Sequence, residues 1–299
     1  MTDSKKMLGG VFAPMCTPFV DDEVSYDGLK RNIEIMNATG LRGYLFLGTN
    51  GEFKTLSEDE KKKMLGIVVK TSRKDKVVMA GTGYESTKET IRMTKIAADI
   101  GVALASILLP NFFVKRMDNE TMISHILEVA NASPIPVVLY NNPSVSAGLT
   151  IGPEVIQAVC GHENIFGLKD SSKDTWQKNV AYDSKNFSVL AGSADYFFDL
   201  MEKGGSGGVL SLANVFPDVC ADLYNLYVNG KKEEAMKLNT KILSLNKMVS
   251  GSYGVAGVKY AMDLAGFSGG NPRRPIKALT ETQKKSLKTD LINSGFLKS

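Results

Sequence analysis

The chain has 299 residues, of which 43% are hydrophobic, 8% aromatic and 23% charged. These are the proportions of a folded globular protein, and they exclude extended disorder, collagen-like repeats and coiled coil. Lysine and arginine exceed aspartate and glutamate by 36 − 32 = 4, with the charges dispersed along the chain, so no nucleic-acid footprint or acidic tail is present.

The first residues, MTDSKKMLGG, lack the apolar core of an export signal. Short apolar runs then recur at 10–14, 43–48, 77–81, 105–110, 136–141, 165–169, 188–192 and 208–212, and each predicts a strand. Between them lie segments of helical period such as 57–71, 86–100 and 119–130. In the second of these Ile91, Ile96, Ala97 and Ile100 share one face. Ser57 stands three residues before Glu60 and Ser86 three before Glu89, the spacing at which a cap hydroxyl and a carboxylate satisfy each other's free backbone N–H groups. Eight strands alternating with helices predict a (β/α)8 TIM barrel, with a doubly wound open sheet as the competing arrangement. After the eighth strand only helices follow, at 218–228, 231–248, 255–265 and 281–293. The expected organisation is therefore a barrel over residues 1–230 and a C-terminal helical appendage, 231–299, packed on it. Gly81-Thr82-Gly83 and the glycine cluster at 204–208 read as turns, since neither has a P-loop or dinucleotide spacing.

Cys16, Cys160 and Cys220 form no C-x-x-C pair, which argues for a reducing, cytoplasmic setting and against a disulfide framework or zinc cluster. His125 and His162 lie in separate segments without a metal-binding motif, so no metal site built on imidazole is expected. The longest nearly apolar stretch, 102–110, falls far short of the roughly 20 residues that span a bilayer.

In a parallel barrel the chemistry sits at the carboxyl ends of the strands, and three such ends stand out. The sixth strand ends in Gly167-Leu168-Lys169-Asp170, and alternation turns Phe166 and Leu168 to the helices and Gly167 and Lys169 to the interior. An amine partly withdrawn from water there can attack a carbonyl; the alternative is a rim lysine paired with Asp170 or another carboxylate. The fifth strand ends in Tyr140, on the interior face and one strand away, where a phenol can move a proton or simply anchor the rim. The second strand runs into Gly48-Thr49-Asn50-Gly51-Glu52, a tight turn whose backbone N–H groups can converge on a carboxylate, or serve only as a connection.

These three motifs, in this order, resemble the dihydrodipicolinate synthase and N-acetylneuraminate lyase family. The resemblance runs from Pro14-Met15-Cys16-Thr17-Pro18-Phe19 to Gly269-Gly270-Asn271-Pro272-Arg273. Within the family, Ala80-Gly81-Thr82-Gly83-Tyr84-Glu85-Ser86-Thr87, the segment 133–140 and Leu190-Ala191-Gly192-Ser193-Ala194 look most like the 4-hydroxy-2-oxoglutarate aldolases. The resemblance implies a metal-free class I lyase in which Lys169 forms a Schiff base with C2 of pyruvate or a related 2-oxo acid. Tyr140 would relay protons, and Gly48, Thr49 and Asn50 would hold the substrate carboxylate. Gly192 and Leu210 would line the pyruvate pocket, and the assembly would be a homotetramer, a dimer of dimers.

The expected reaction is cleavage or formation of a C–C bond between pyruvate and an aldehyde, by way of a 4-hydroxy-2-oxo acid. Alternatives within the family are 4-hydroxy-tetrahydrodipicolinate synthase, a 2-keto-3-deoxy sugar-acid aldolase and a dehydratase; outside the enzyme class stands a silent 2-oxo acid binding protein. Two departures bear on the choice. Val145 follows Pro143-Ser144 where the synthases carry an arginine, and Phe112-Phe113 occupies a loop where many members carry tyrosine. Lys115 and Arg116, just beyond, read as solvated charges or as a cation for a distal carboxylate.

Overall fold

The structure is a computed structural model and describes residues 4–297. In chain order it has α1 (Ser4–Leu8), β1 (Gly10–Pro14), the short antiparallel pair β2 (Phe19–Val20) and β3 (Glu23–Val24), α2 (Tyr26–Met36), β4 (Gly43–Phe46) and α3 (Glu58–Thr71). There follow β5 (Val77–Gly81), α4 (Thr87–Ile100), β6 (Leu104–Leu108), α5 (Asn119–Ala132), β7 (Val137–Asn141), α6 (Pro153–Val159), β8 (Ile165–Asp170) and α7 (Trp176–Asn179). The chain continues through β9 (Ser188–Ala191), α8 (Phe197–Glu202), β10 (Gly207–Val209) and α9 (Pro217–Val228), and closes with α10 (Lys232–Asn246), α11 (Ser252–Leu264) and α12 (Glu281–Asn293).

Among the described residues, β1 and β4 to β10 form a closed barrel in the order β1-β10-β9-β8-β7-β6-β5-β4. The expected (β/α)8 barrel with C-terminal helices is therefore the fold. Every residue of β6, β7 and β8 is buried. A parallel strand covered on both faces has no solvent side to alternate with, hence the unbroken apolar runs of the sequence.

The helix starts follow from their caps. Ser57 Oγ accepts from Glu60 N at 3.2 Å while Glu60 Oε2 accepts from Ser57 N at 2.8 Å, and Ser86 and Asp118 accept in the same way from Glu89 N and Thr121 N. Each such cap is worth about 1 kcal/mol.

Several boundaries depart from the sequence expectation. The second barrel strand stops at Phe46, not residue 48, because Leu47 takes φ +55 and leaves the extended region. The eighth is Gly207–Val209, not 208–212, because Ser211–Asn214 winds into a 3-10 turn. The helix expected over 231–248 ends at Asn246 and runs through a π turn, Lys247–Gly251, into α11, which itself bends at Gly254 (φ 56, ψ −143).

The chain divides into two compact units. One comprises the residues through Gly10 and Val77–Val209. Its register sets Leu108 beside Tyr140, Tyr140 beside Lys169, and Asp170 beside Ala191. Gly167 has to be glycine in this unit, since a Cβ there would strike the backbone carbonyl of Ser188 on β9. The second comprises Val11–Lys76 and the chain from Leu210 onward; in it β1 pairs with β4, Phe12 opposite Gly43 and Pro14 opposite Leu45. Among the described residues no helix is long and apolar enough to cross a membrane.

Candidate active site

Lys169 is 3% exposed and Tyr140 6% exposed. Opposed in register, they bring the lysine Nζ to 3.9 Å from the tyrosine ring centroid. The amine is thus aimed by a neutral aromatic surface and not by a counter-charge.

Asp170, the nearest carboxylate in sequence, is committed to the opposite face. Its Oδ1 accepts from Asn141 Nδ2 at 3.0 Å and Ser172 N at 2.8 Å, and its Oδ2 accepts from Asn179 Nδ2 on α7 at 2.7 Å. A side chain bonded to α7 points to the helix layer, and period-two alternation turns Lys169 inward. Burial pushes the Asp170 carboxyl above its ordinary range, and the same donors pull it part of the way back. The rim pairing with Asp170 weighed from sequence is thus not formed.

Asn141 and Asp170 follow Tyr140 and Lys169 directly, so their 3.0 Å bond clips together the two strand ends that carry the inward pair. Tyr196 Oη donates to Asp170 O at 2.6 Å, and Trp176 stacks on the Tyr196 ring at 5.0 Å. Burial and the Asp170 charge hold the Tyr196 phenol well above its ordinary value, so it stays a donor. Gly192 N donates to Asp170 O at 2.7 Å, and a Cβ at Gly192 would overlap the Ser171 side chain. The glycine expected to line the pocket is therefore also the one that lets this loop close on β8.

In the other unit the turn after β4 is bracketed by two left-handed residues, Leu47 at φ +55 and Glu52 at φ +54. For a bulky leucine that conformation costs on the order of 1–3 kcal/mol, so the surroundings must enforce it. At the far end of the turn Glu52 is anchored through both carboxylate oxygens. Its Oε1 accepts from Lys259 Nζ at 2.8 Å and its Oε2 from Arg273 N at 2.8 Å, while Lys259 Nζ also donates to Thr17 O. Thr17 Oγ1 donates to Gly51 O at 2.7 Å, Glu52 N to Thr49 O at 3.0 Å, and Asn50 Nδ2 to Ser211 Oγ. Gly48, Thr49 and Asn50 are thus held in a fixed turn. The Asn50 side-chain amide is thereby engaged with Ser211. Leu210, fully buried, donates its N–H to Phe12 O at 3.0 Å.

Sequence reasoning assigned no role to Asn142, to Tyr196 or to the Glu52–Lys259 pair. The pair had a signal: Lys259 is the single charge in Gly254-Val255-Ala256-Gly257-Val258-Lys259-Tyr260-Ala261-Met262. A lone lysine on an apolar helix face requires a buried acceptor. Phe112 and Phe113 are 78% and 71% exposed and stack edge to face at 4.9 Å. Their loop is pinned by Glu85, whose Oε2 accepts from Asn111 N and Phe112 N. Lys115 and Arg116 are exposed, matching the solvated reading of those charges. Burial raises the Cys16 thiol to about 12, so it stays protonated and unreactive. Among the described residues no three His, Cys, Asp or Glu side chains converge as a metal site.

A parallel barrel with a buried lysine set against a tyrosine near adjacent strand ends is the architecture in which barrel enzymes keep their chemistry at the carboxyl face. The profile of the Dihydrodipicolinate synthetase family matches residues 7–294, and the chain belongs to that family. It is a carbon–carbon lyase, of the class I, pyruvate-dependent kind.

Among its relatives, the 4-hydroxy-tetrahydrodipicolinate synthase of Methanothrix thermoacetophila is 33% identical over 97% of this chain and 98% of its own length. The enzyme of the same name from Methanococcus maripaludis is 32% identical over 97% and 100%. Among solved structures, dihydrodipicolinate synthase from Thermotoga maritima superposes with a TM-score of 0.92 at 26% identity, covering 97% of this chain and 100% of its own. A prophage protein of the dihydrodipicolinic acid synthase family from E. coli K12, solved in complex with pyruvate, gives 0.89 at 25%, covering 96% and 99%.

Proposed function

We propose that this chain is an aldolase that cleaves a 4-hydroxy-2-oxo acid to pyruvate and an aldehyde through an imine on Lys169. The observation that carries the reading is the buried amine lying over the Tyr140 ring with its neighbouring carboxylate engaged on the far face of the strand. The amine adds to C2, and the carbonyl oxygen takes up a proton to give a carbinolamine. Tyr140 then protonates that hydroxyl, which leaves as water as the nitrogen lone pair forms C=N.

In the iminium the C3–C4 electrons have a sink. The Tyr140 phenolate takes the C4 hydroxyl proton, the C3–C4 bond breaks, and aldehyde and enamine form. Solvent supplies a proton to C3, and water adds to the iminium to return pyruvate, a proton and the free amine. Thr49 and Asn50, with Gly48, receive the substrate carboxylate on hydroxyl and backbone donors, and Gly192 and Leu210 border the 2-oxo acid. The family member solved with pyruvate supports this choice of 2-oxo acid.

A second reading, 4-hydroxy-tetrahydrodipicolinate synthase, is favoured by the names of the relatives at 30–33% identity. Val145, in place of the arginine expected of the synthases, favours the aldolase. Product analysis on a panel of 4-hydroxy-2-oxo acids, with pyruvate plus an amino-aldehyde as the synthase arm, decides between them. Aldehyde release with pyruvate supports the aldolase. Condensation without cleavage supports the synthase, and pyruvate binding with no product at all would make the chain a binding protein.

The reading includes a cytoplasmic setting, supported by the three free thiols, and assembly as a tetramer of tight dimers. The exposed Phe112–Phe113 pair supports the assembly, as an apolar patch suited to a subunit contact. A sedimentation mass of four chains is the expected result; a monomer would contradict it.

A further inference from the structure

Tyr140 has a partner that the resemblance does not supply. Asn142, two residues on and 8% exposed, donates from Nδ2 to Tyr140 Oη at 2.7 Å. Its Oδ1 in turn accepts from Ser144 Oγ at 2.6 Å. The amide is therefore held at both ends, with its N–H side toward the phenol.

The backbone around it is held as firmly. Asn142 O accepts from Ser146 Oγ at 2.5 Å and from Val145 N at 3.2 Å, and Gly148 N closes the loop on Pro143 O at 2.9 Å. Pro143 opens the 3-10 turn Pro143–Val145, where its fixed φ and missing N–H suit the first position. Asn142 thus sits at the junction of a rigid loop and the strand end that carries Tyr140.

An amide N–H bound to the phenol oxygen occupies one of its lone pairs. The phenol's own proton cannot point along that line, so it is turned away from Asn142. The same N–H stabilises negative charge on Oη when that proton is given up, because a donor aimed at an oxygen favours its anionic form. We infer that Asn142 is a positioning residue for the reaction: it keeps the Tyr140 hydroxyl aimed as a donor and supports the phenolate that follows. This rests on the proposed role of Tyr140 in imine chemistry, and it assigns the orientation of that hydroxyl to the Tyr140–Asn142–Ser144 chain.

Two substitutions test it in the full-length enzyme. Asn142→Asp is nearly isosteric, but its carboxylate only accepts, so it would draw the phenol proton toward itself and away from the substrate. Asn142→Leu keeps the volume and removes the hydrogen bond. Both are expected to lower kcat for cleavage about 10- to 100-fold, a fraction of the full acid–base contribution of 10²–10⁴, with KM within about twofold of wild type. Borohydride trapping of pyruvate should slow in the same proportion yet still label Lys169.

Wild-type kcat in Asn142→Asp would overturn the inference, since a merely structural role tolerates an isostere. So would a change confined to KM. If Asn142→Leu fails to fold, Asn142→Asp alone decides. Failure of the wild-type enzyme to form any adduct on Lys169 would instead bring down the imine reading, and the role of Asn142 with it; the unsubstituted control keeps the two failures apart.

Discussion

At the residue scale, Lys169 and Tyr140 are placed by what their neighbours do on the other side of the sheet. Asp170 and Asn141 face the helix layer and hydrogen-bond each other, which fixes the inward pair without touching it. Removing the Tyr140 hydroxyl while keeping the ring separates its two jobs. Tyr140→Phe should retain the surface under the lysine but lose about 10²–10⁴ in kcat, measured by aldehyde release under saturating substrate.

A different residue contributes to the response to acid. His125 is 4% exposed on α5, with Nδ1 on Thr87 Oγ1 at 2.9 Å and Nε2 buried without a partner. Burial pushes its imidazole below the ordinary 6.5, only partly opposed by Glu128. The folded chain therefore binds that proton less readily than the unfolded chain. The stability the neutral ring contributes is present in full above about pH 6.5 and is lost as pH falls toward the depressed folded value, by at most about 1.4 kcal/mol per pH unit for one group. Thermal unfolding between pH 7.5 and 5 should show a falling Tm, and His125→Leu should flatten that fall; an unchanged slope in the variant would assign it to other groups.

At the element scale, the turn after β4 depends on residues more than 200 positions away in sequence. Glu52 and Lys259 are both buried, so loss of one partner strands a charge. Lys259→Met should destabilise by about 3–5 kcal/mol, and the double substitution Glu52→Gln/Lys259→Met by clearly less than the sum of the two single changes. Urea unfolding of the four proteins measures this. If Thr49 and Asn50 receive the substrate carboxylate as proposed, the stable variants should also show weakened pyruvate binding, because both residues lie inside the turn that Glu52 anchors.

This is also where the sequence stopped being legible. The barrel strands, the caps at Ser57 and Ser86 and the strand-end positions of Lys169 and Tyr140 follow from local pattern, since burial on both faces and the capping spacing are local rules. The partners of Glu52 do not, because no periodicity couples residue 52 to residues 259 and 273. The short α6, α7 and α8 escaped for a related reason: at seven, four and six residues they carry too little repeat to register a face. Asp170 was visible as a neighbour of Lys169, but which way it faced depended on Asn179, nine residues along and on another element.

At the scale of the whole molecule, a closed parallel barrel has no exposed sheet edge, and its functional groups gather on loops at one face while the strands below stay fully buried. Changes to the strand interiors should therefore read out as stability, and changes at the strand ends as activity. Gly167→Ala, which would push a methyl into the backbone of β9, is expected to lower Tm and soluble yield rather than KM. An imine mechanism draws on an amine and a phenol, and prolonged dialysis against a chelator should leave cleavage at its untreated rate.

Imine chemistry requires a covalent bond between Lys169 and the 2-oxo acid. Incubating the enzyme with pyruvate and borohydride, digesting it and mapping the adduct by mass should find reduced pyruvate on the peptide that carries Lys169, with no adduct in Lys169→Ala. An adduct of undiminished yield in Lys169→Ala, or none in the wild-type enzyme, would contradict it.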